Sequence, residues 1–408
     1  MQGNPNSPSG FYGVEVNAAR CYHDWSMTDV EMKSPRREFT GICPAQEIRA
    51  LIAQGVIKAG VEIPEEQIQP ASLDLRLGSK AYRVRASFLP AGGVQVMDKV
   101  AALGMHEIDL SPGAVLEREC VYIVPLEESV HLPDGLSGIA NPKSSTGRLD
   151  IFTRLITNGA EDRASEFDRV RAGYTGPLYA EISPRAFSVK VTPGTRLNQL
   201  RLRYGEPSFS DSDMRRLNDS VALTDSGMGG QDIAGGVPFS VDLSGETKDG
   251  LIGYRAKRHT GVIDLAKIAH YDGRDFWEPL YVRSGEGLVL NPGDFYILAS
   301  KEAVRVPMDH AAEMVAYDTL VGEFRVHYAG FFDPGFGVSD DGRAGTRAVL
   351  EVRSHEVPFV IDDGQIVGRL VYERLTDVPD KIYGAGIGSN YANQTLTLAK
   401  QFIKPDFG

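Results

Sequence analysis

The chain runs through one set of motifs twice. IQPASLDLRLGSKAYRVR at 68–85 is answered by VPFSVDLSGETKDGLIGYRAKR at 237–258, so that Pro70 and Asp74 recur as Pro238 and Asp242, 168 residues later. SPGAVLERECVYIVPLEESVHLP at 111–133 is answered by NPGDFYILASKEAVRVP at 291–307. LYAEIS around Glu181 then returns as VLEVRS around Glu351, and VTPGTRLNQLRL at 191–202 as IDDGQIVGRLVY at 361–372, both at an offset of 170. Markers kept in one order at nearly one spacing call for two tandem copies of a single structural unit.

Within each copy the segments LDLRL, VYIV, LYAEI and FSVKV are short and alternate, and Pro-Gly and Asp-Gly turn signals break them. That pattern predicts antiparallel strands closed into a barrel or jelly roll. The exception is PAQEIRALIAQGVI at 44–57, where Ile48, Leu51, Ile52 and Ile57 recur at helical spacing and Gly55 is placed to end a short helix. The expected division is an arm at 1–40, a first domain at 41–207, a linker at 208–234, a second domain at 235–376 and a tail at 377–408. The arm is polar, rich in Asn, Ser, Pro and Gly, and without periodicity, which predicts flexibility.

The 408 residues carry a net charge of −12, which argues against a broad surface for polymeric nucleic acid and leaves room for an enclosed basic pocket. No apolar run approaches the roughly 18 residues of a membrane span. The N-terminal 40 residues lack a signal-peptide core, and the three cysteines are scattered. A cytoplasmic, reduced protein that inserts in no membrane is expected.

The densest polar cluster is NPKSSTGRLDI at 141–151. Ser144 and Arg148 stand at i and i+4, so a helical turn starting here presents both to one ligand, with Ser144 placed to cap it. In LYAEIS, alternation sets Tyr179, Glu181 and Ser183 on one face of a strand. A carboxylate beside an aromatic there suits a base-sized pocket; a solvated strand glutamate is the alternative reading.

These motifs, with QPASLDLRLG, AGYTGPLYAEI, AGFFDPGF and the C-terminal YGAGIGSNYANQ, resemble the dCTP deaminases of the dUTPase-like superfamily in their longer tandem form, over roughly residues 43–400. The fold this implies is mainly β, two tandem dUTPase-like β-barrel or jelly-roll domains with a few short helices. The implied reaction is hydrolytic deamination of dCTP to dUTP and ammonia, without zinc. In keeping with that, the chain has neither H-x-E nor P-C-x-x-C, the ligand pattern of zinc deaminases.

By the same resemblance Glu181 is the catalytic acid-base, Ser144 positions the attacking water and Arg148 approaches the base. Lys143 and Ser145 fall where triphosphate is gripped, Tyr179 and Arg171 line the nucleotide, and Tyr391, Asn393 and Gln394 match a segment that closes over it. Magnesium is expected on the triphosphate. dTTP is a candidate feedback ligand, and a homo-oligomer is expected, a trimer by analogy with single-domain relatives. Asp74 and Asp242 are expected to be structural, each bonding local backbone near a turn.

Aligned back from AGFFDPGF, copy two carries Ala316 for Ser144 and Leu320 for Arg148 but keeps Glu351. The first domain is therefore expected to do the chemistry and the second to be degenerate, with an insertion around GAEDRASEFD at 159–168 altering the first domain's loop. dUTP hydrolysis on this fold needs an Asp just before the G-Y/F turn. Copy one has Arg171 there, which cannot act as a base; copy two has Asp333. A deaminase alone is expected, with a bifunctional enzyme giving dUMP and a silent nucleotide-binding regulator as the alternatives.

Overall fold

The structure is a computed structural model that describes residues 40–226, 232–245, 250–282, 287–315, 324–326, 330–338, 345–354, 356–382 and 396–403. The repeat in the sequence is a repeat in topology. In the first half one sheet runs Gly41–Ile42, Arg196–Tyr204, Leu136–Pro142, Arg169–Val170, with Leu73–Arg76 also on Arg196–Tyr204. The other runs Gly104–Asp109, Lys80–Val84, Val121–His131, Thr175–Pro184, Ile151–Ile156. The second half repeats both orders: Val237–Ser240, Ile366–Arg374, His310–Val315, Phe331–Phe332, and Trp277–Tyr281, Leu251–Ala256, Tyr296–Val304, Thr346–Ser354, Phe324–Val326. Glu181 lies opposite Ile123, and Glu351 lies opposite Ile297. The fold is mainly β, as expected.

The expected helix forms over Ala45–Ala53 with Ile48 and Leu51 buried. Just past its C-cap, Gly55 takes φ +72°, a conformation that favours glycine. Two further helices carry weak sequence signals, Val96–Leu103 and Asp211–Ser220. The second is capped by Ser210, which accepts from the Asp213 amide at 3.2 Å.

The halves share a core. Phe187 of the first packs edge-on against Phe276 and Trp277 of the second, at 5.8 and 5.3 Å between ring centroids. Trp277 is fully buried, and removing such a ring costs ~3–5 kcal/mol. Ile263–Asp264 pairs in parallel with Val189–Val191, carrying a second-half strand onto a first-half sheet. From the tail, Leu398, Ala399 and Phe402 enter the same core. Charged contacts also cross between the halves: Asn141 donates to Glu313 at 3.1 Å, and buried Arg201 donates to Glu373 at 3.2 Å with its guanidinium 3.8 Å above the Phe331 ring. A full-length molecule of two independent barrels is therefore not what this sequence builds.

Candidate active site

The polar cluster forms one short helical turn, Ser144–Gly147, with Lys143 rather than Ser144 at its N-cap. The turn is pinned to the neighbouring sheet. The Lys143 amide donates to Leu197 O at 2.9 Å and Thr146 Oγ1 to the same carbonyl at 2.7 Å. Ser144 is left exposed and Arg148 is buried, with its Nη1 donating to Thr397 O at 2.9 Å. These two side chains open onto a cleft between the halves whose other wall is Met314, Gly330–Phe332, Asp333, Phe336 and the strand residues Thr346–Val349 and Glu351.

The carboxylate facing Ser144 and Arg148 is therefore Glu351, which corrects the expectation that Glu181 shares their pocket. The expectation that copy two had lost the partners of its glutamate is corrected as well, because those partners come from copy one. Burial pushes the Glu351 carboxyl up to about 8, with Asp150 adding to the rise and the Arg148 guanidinium opposing it. A carboxyl held there can take and return a proton near neutral pH, which an ordinary glutamate does poorly.

Asp333 lines the same cleft. Burial raises its carboxyl to about 6 against the pull of Arg201 and Lys143, and its Oδ1 makes no hydrogen bond. Lys143 lines the cleft while its ammonium pairs with buried Asp74, and Arg347 lines it while donating to Asp242 at 2.5 Å. Asp74 and Asp242 thus each hold a cation at the cleft wall, a role beyond the local turn bonding expected of them. Ser145 follows Ser144 in the turn and is not a lining residue.

Glu181 sits elsewhere. It is buried, with the Ser87 side chain and the Phe88 amide as hydrogen-bonding neighbours; burial raises its carboxyl too, against the pull of these bonds and of the Arg154 cation. Its Oε2 has no hydrogen-bond partner. Tyr179 belongs to an apolar cluster with Tyr82, Val84, Val96, Val100, Ile123 and Ile156, flanked by Phe88 and Phe167. Both therefore lie outside the cleft. The alternation holds, with Leu178, Ala180 and Ile182 in the main core and Tyr179 in this second cluster, but Thr175–Pro184 is a central strand buried on both faces from Leu178 onward.

Two first-half segments make the cover over Glu181: 85–103, which includes the helix Val96–Leu103, and 158–168, which holds the insertion. They are stitched together by Gly93 N to Ala160 O at 2.7 Å, Val96 N to Asn158 Oδ1 at 2.9 Å, Gly159 N to Val94 O at 3.0 Å and Ser165 N to Pro90 O at 3.0 Å. Gly159 is needed for this closeness, since a Cβ there would lie 2.0 Å from Ala91 O. In the second half the equivalent connection, 257–276, instead runs across to the first-half sheet.

Arg171 is half-exposed, 3.8 Å from Asp162, and is not among the residues lining the cleft. Tyr391, Asn393 and Gln394 lie outside the described residues, as do Ala316 and Leu320. Among the described residues no group of three His, Cys, Asp or Glu side chains is arranged to hold a metal ion. Among them, too, no helix is long and apolar enough to cross a membrane. The one sequence signal for Glu351 was its survival at offset 170 in a copy stripped of serine and arginine.

Residues 39–206 match the family model of the 2'-deoxycytidine 5'-triphosphate deaminase N-terminal domain, and residues 210–402 that of its C-terminal domain. The crystal structure of 2'-deoxycytidine 5'-triphosphate deaminase from Agrobacterium tumefaciens is 56% identical, covering 84% of this chain and 99% of that one at a TM-score of 0.78. A dUMP-forming dCTP deaminase of Corynebacterium glutamicum is 27% identical over 194 residues, 46% of this chain and 91% of that protein. One of Halobacterium salinarum, also dUMP-forming, is 34% identical over 117 residues, 28% of this chain and 55% of that protein. With both of its halves matched and its repeat carried into the topology, the chain belongs to the 2'-deoxycytidine 5'-triphosphate deaminase family.

Proposed function

We propose that the cleft between the halves deaminates dCTP, with Glu351 as its acid-base. The observation that carries this reading is a buried carboxyl, raised to about 8, in one cleft with an exposed serine hydroxyl and a buried arginine. Glu351 takes a proton from water positioned by Ser144, the oxygen adds to C4 of cytosine, and Glu351 passes the proton to N3. A second proton transfer expels the C4 amine as ammonia and leaves the uracil ring. Arg148 holds charge that develops on the polarised ring, and such preorganised groups act strongly where water is excluded. Lys143 and Arg347 offer cations to the triphosphate, and magnesium enters with that group rather than on a protein cage. Both half-sites come from one chain.

The position of Asp333 favours a second reading, in which the same cleft goes on to hydrolyse dUTP to dUMP and pyrophosphate. In copy one Arg171 occupies the place where this fold carries its water-orienting carboxylate. Asp333 lines this cleft instead, its Oδ1 3.7 Å from Arg201 Nη2 and without a hydrogen bond.

Incubating the pure protein with dCTP and magnesium tests both. Ammonia released one-for-one with a uracil nucleotide supports deamination, and no ammonia contradicts it. Chromatography after complete consumption separates dUTP from dUMP with pyrophosphate. Protein stripped of transition metals should keep its turnover in magnesium; activity restored only by zinc would contradict the carboxylate mechanism.

A further inference from the structure

Two residues beyond each half of the cleft, the halves are joined by an ion pair that the chemistry does not use. Asp150 follows Arg148 by two residues and Arg353 follows Glu351 by two. Arg353 Nε lies 3.2 and 3.1 Å from the two Asp150 oxygens, and its Nη2 donates to Oδ2. The remaining nitrogen, Nη1, donates to Gly293 O at 2.8 Å, and the guanidinium stands 5.7 Å from the Phe295 ring centroid. Asp150 is fully buried.

Asp150 is also wound tightly into the turn. It takes φ +54°, a conformation Asp tolerates, while its amide donates to Gly147 O and its carbonyl accepts from the Arg185 amide, both at 2.8 Å. On the strand Thr346–Ser354, residues 351 and 353 point to one face. The fork that grips Asp150 therefore fixes the turn bearing Arg148 against the strand bearing Glu351.

The repeat sharpens the point. At the position of Arg353 copy one has Ser183, so the first-half strand offers no arginine for a reciprocal pair. Among the described residues the pair therefore stands where serine, arginine and glutamate meet. We infer that the Asp150–Arg353 ion pair is a positioning device for deamination, holding Ser144 and Arg148 in register with Glu351 across the two halves. This deepens the proposed reading and rests on Glu351 being the acid-base.

The charged groups facing Glu351 are Arg148 and Asp150 from the first half and, around the cleft, Lys143, Asp333 and Arg347. Changing one member of the pair therefore moves the protonation of Glu351 in a known sense. Arg353→Met leaves the Asp150 anion without its cation, so the acid limb of kcat/KM should move to higher pH. Asp150→Asn removes an anion and leaves a cation, so the limb should move to lower pH. In each, kcat should fall about tenfold or more while KM stays within about threefold, because the interaction lost is one that aligns the reacting groups. Arg353→Lys keeps the charge without the fork; it should leave the limb near wild type and recover part of the kcat.

If the single variants do not fold, Asp150→Asn combined with Arg353→Met removes both charges together, a change buried pairs tolerate better. The double variant should fold and still show the fall in kcat. Folded variants with wild-type kcat and an unmoved limb would overturn the inference, as would a double variant of wild-type kcat. Glu351→Gln serves as the control: were it active, the underlying reading would have failed rather than the positioning role.

Discussion

Glu181 and Glu351 occupy the same place in two copies of one sheet, and burial raises the carboxyls of both. One opens onto a cleft with a hydroxyl, a guanidinium and a second carboxylate; the other is sealed beneath Phe88, the helix Val96–Leu103 and the insertion at 159–168. A buried glutamate with a raised pKa is thus not by itself a site. What separates the two is what lies across from each, and in this chain the groups opposite a glutamate come from the other copy. In the proposed reading the halves divide the work: the first supplies the turn and the second the carboxylate that faces it.

The largest effect expected from this division is in Glu351→Gln, which keeps size and hydrogen bonding and removes the base. Turnover of dCTP should fall by about 10² to 10⁴ with the fold intact. Glu181→Gln, assayed beside it, should turn over at nearly the wild-type rate. The reverse pattern would return the chemistry to the first half.

Next in size is the effect of Asp333→Asn on product. If the cleft hydrolyses dUTP, this variant should accumulate dUTP from dCTP and lose most of its dUMP, while ammonia release continues. A wild-type protein that makes only dUTP, and an Asp333→Asn variant that does the same, would confine Asp333 to the cleft wall.

The pH dependence follows from the direction of the shift at Glu351. As a base it must be ionised, so kcat/KM should rise with pH and level off above about 8. Stability should run the other way. The folded protein holds a proton that the unfolded chain releases above the ordinary carboxyl value of 4.5, so this contribution is present below 4.5 and lost as pH rises through about 8. Chemical denaturation across that window should show a decline that Glu351→Gln lessens. An acid limb near 4.5 would mean that Glu351 is hydrated in the working enzyme.

The smallest effect is on the covered side. Ionised Glu181 is disfavoured by burial, so Glu181→Gln should gain slightly in stability at alkaline pH and nothing below the ordinary carboxyl range, read as a slight rise in Tm. A large loss of stability instead would mean that Ser87, Phe88 and Arg154 depend on the charge.

Much of this was legible in the sequence. The two copies, their strand-rich character, the helix ending before Gly55 and the pairing of Ser144 with Arg148 on one turn all follow from local spacing. The partner of that turn did not follow, because Glu181 and Glu351 have the same strand context and only the packing of one half on the other chooses between them. Nor could the cover have been foreseen. The insertion at 159–168 marked the first half as altered, but its effect depends on hydrogen bonds to 90–96 and on the approach that Gly159 permits. Arg171 and Asp333 illustrate the same limit: aligned by copy, Arg171 sits where a base should be, yet the cleft is lined by Asp333 from the other copy.

The most direct measurement is a crystal structure of the Glu351→Gln protein soaked with dCTP and magnesium. The account predicts one nucleotide per chain, its cytosine between residue 351 and Arg148 with C4 facing the substituted side chain, and only protein packed against Glu181. A cytosine seated beside Glu181, with the segments 85–103 and 158–168 displaced, would contradict it.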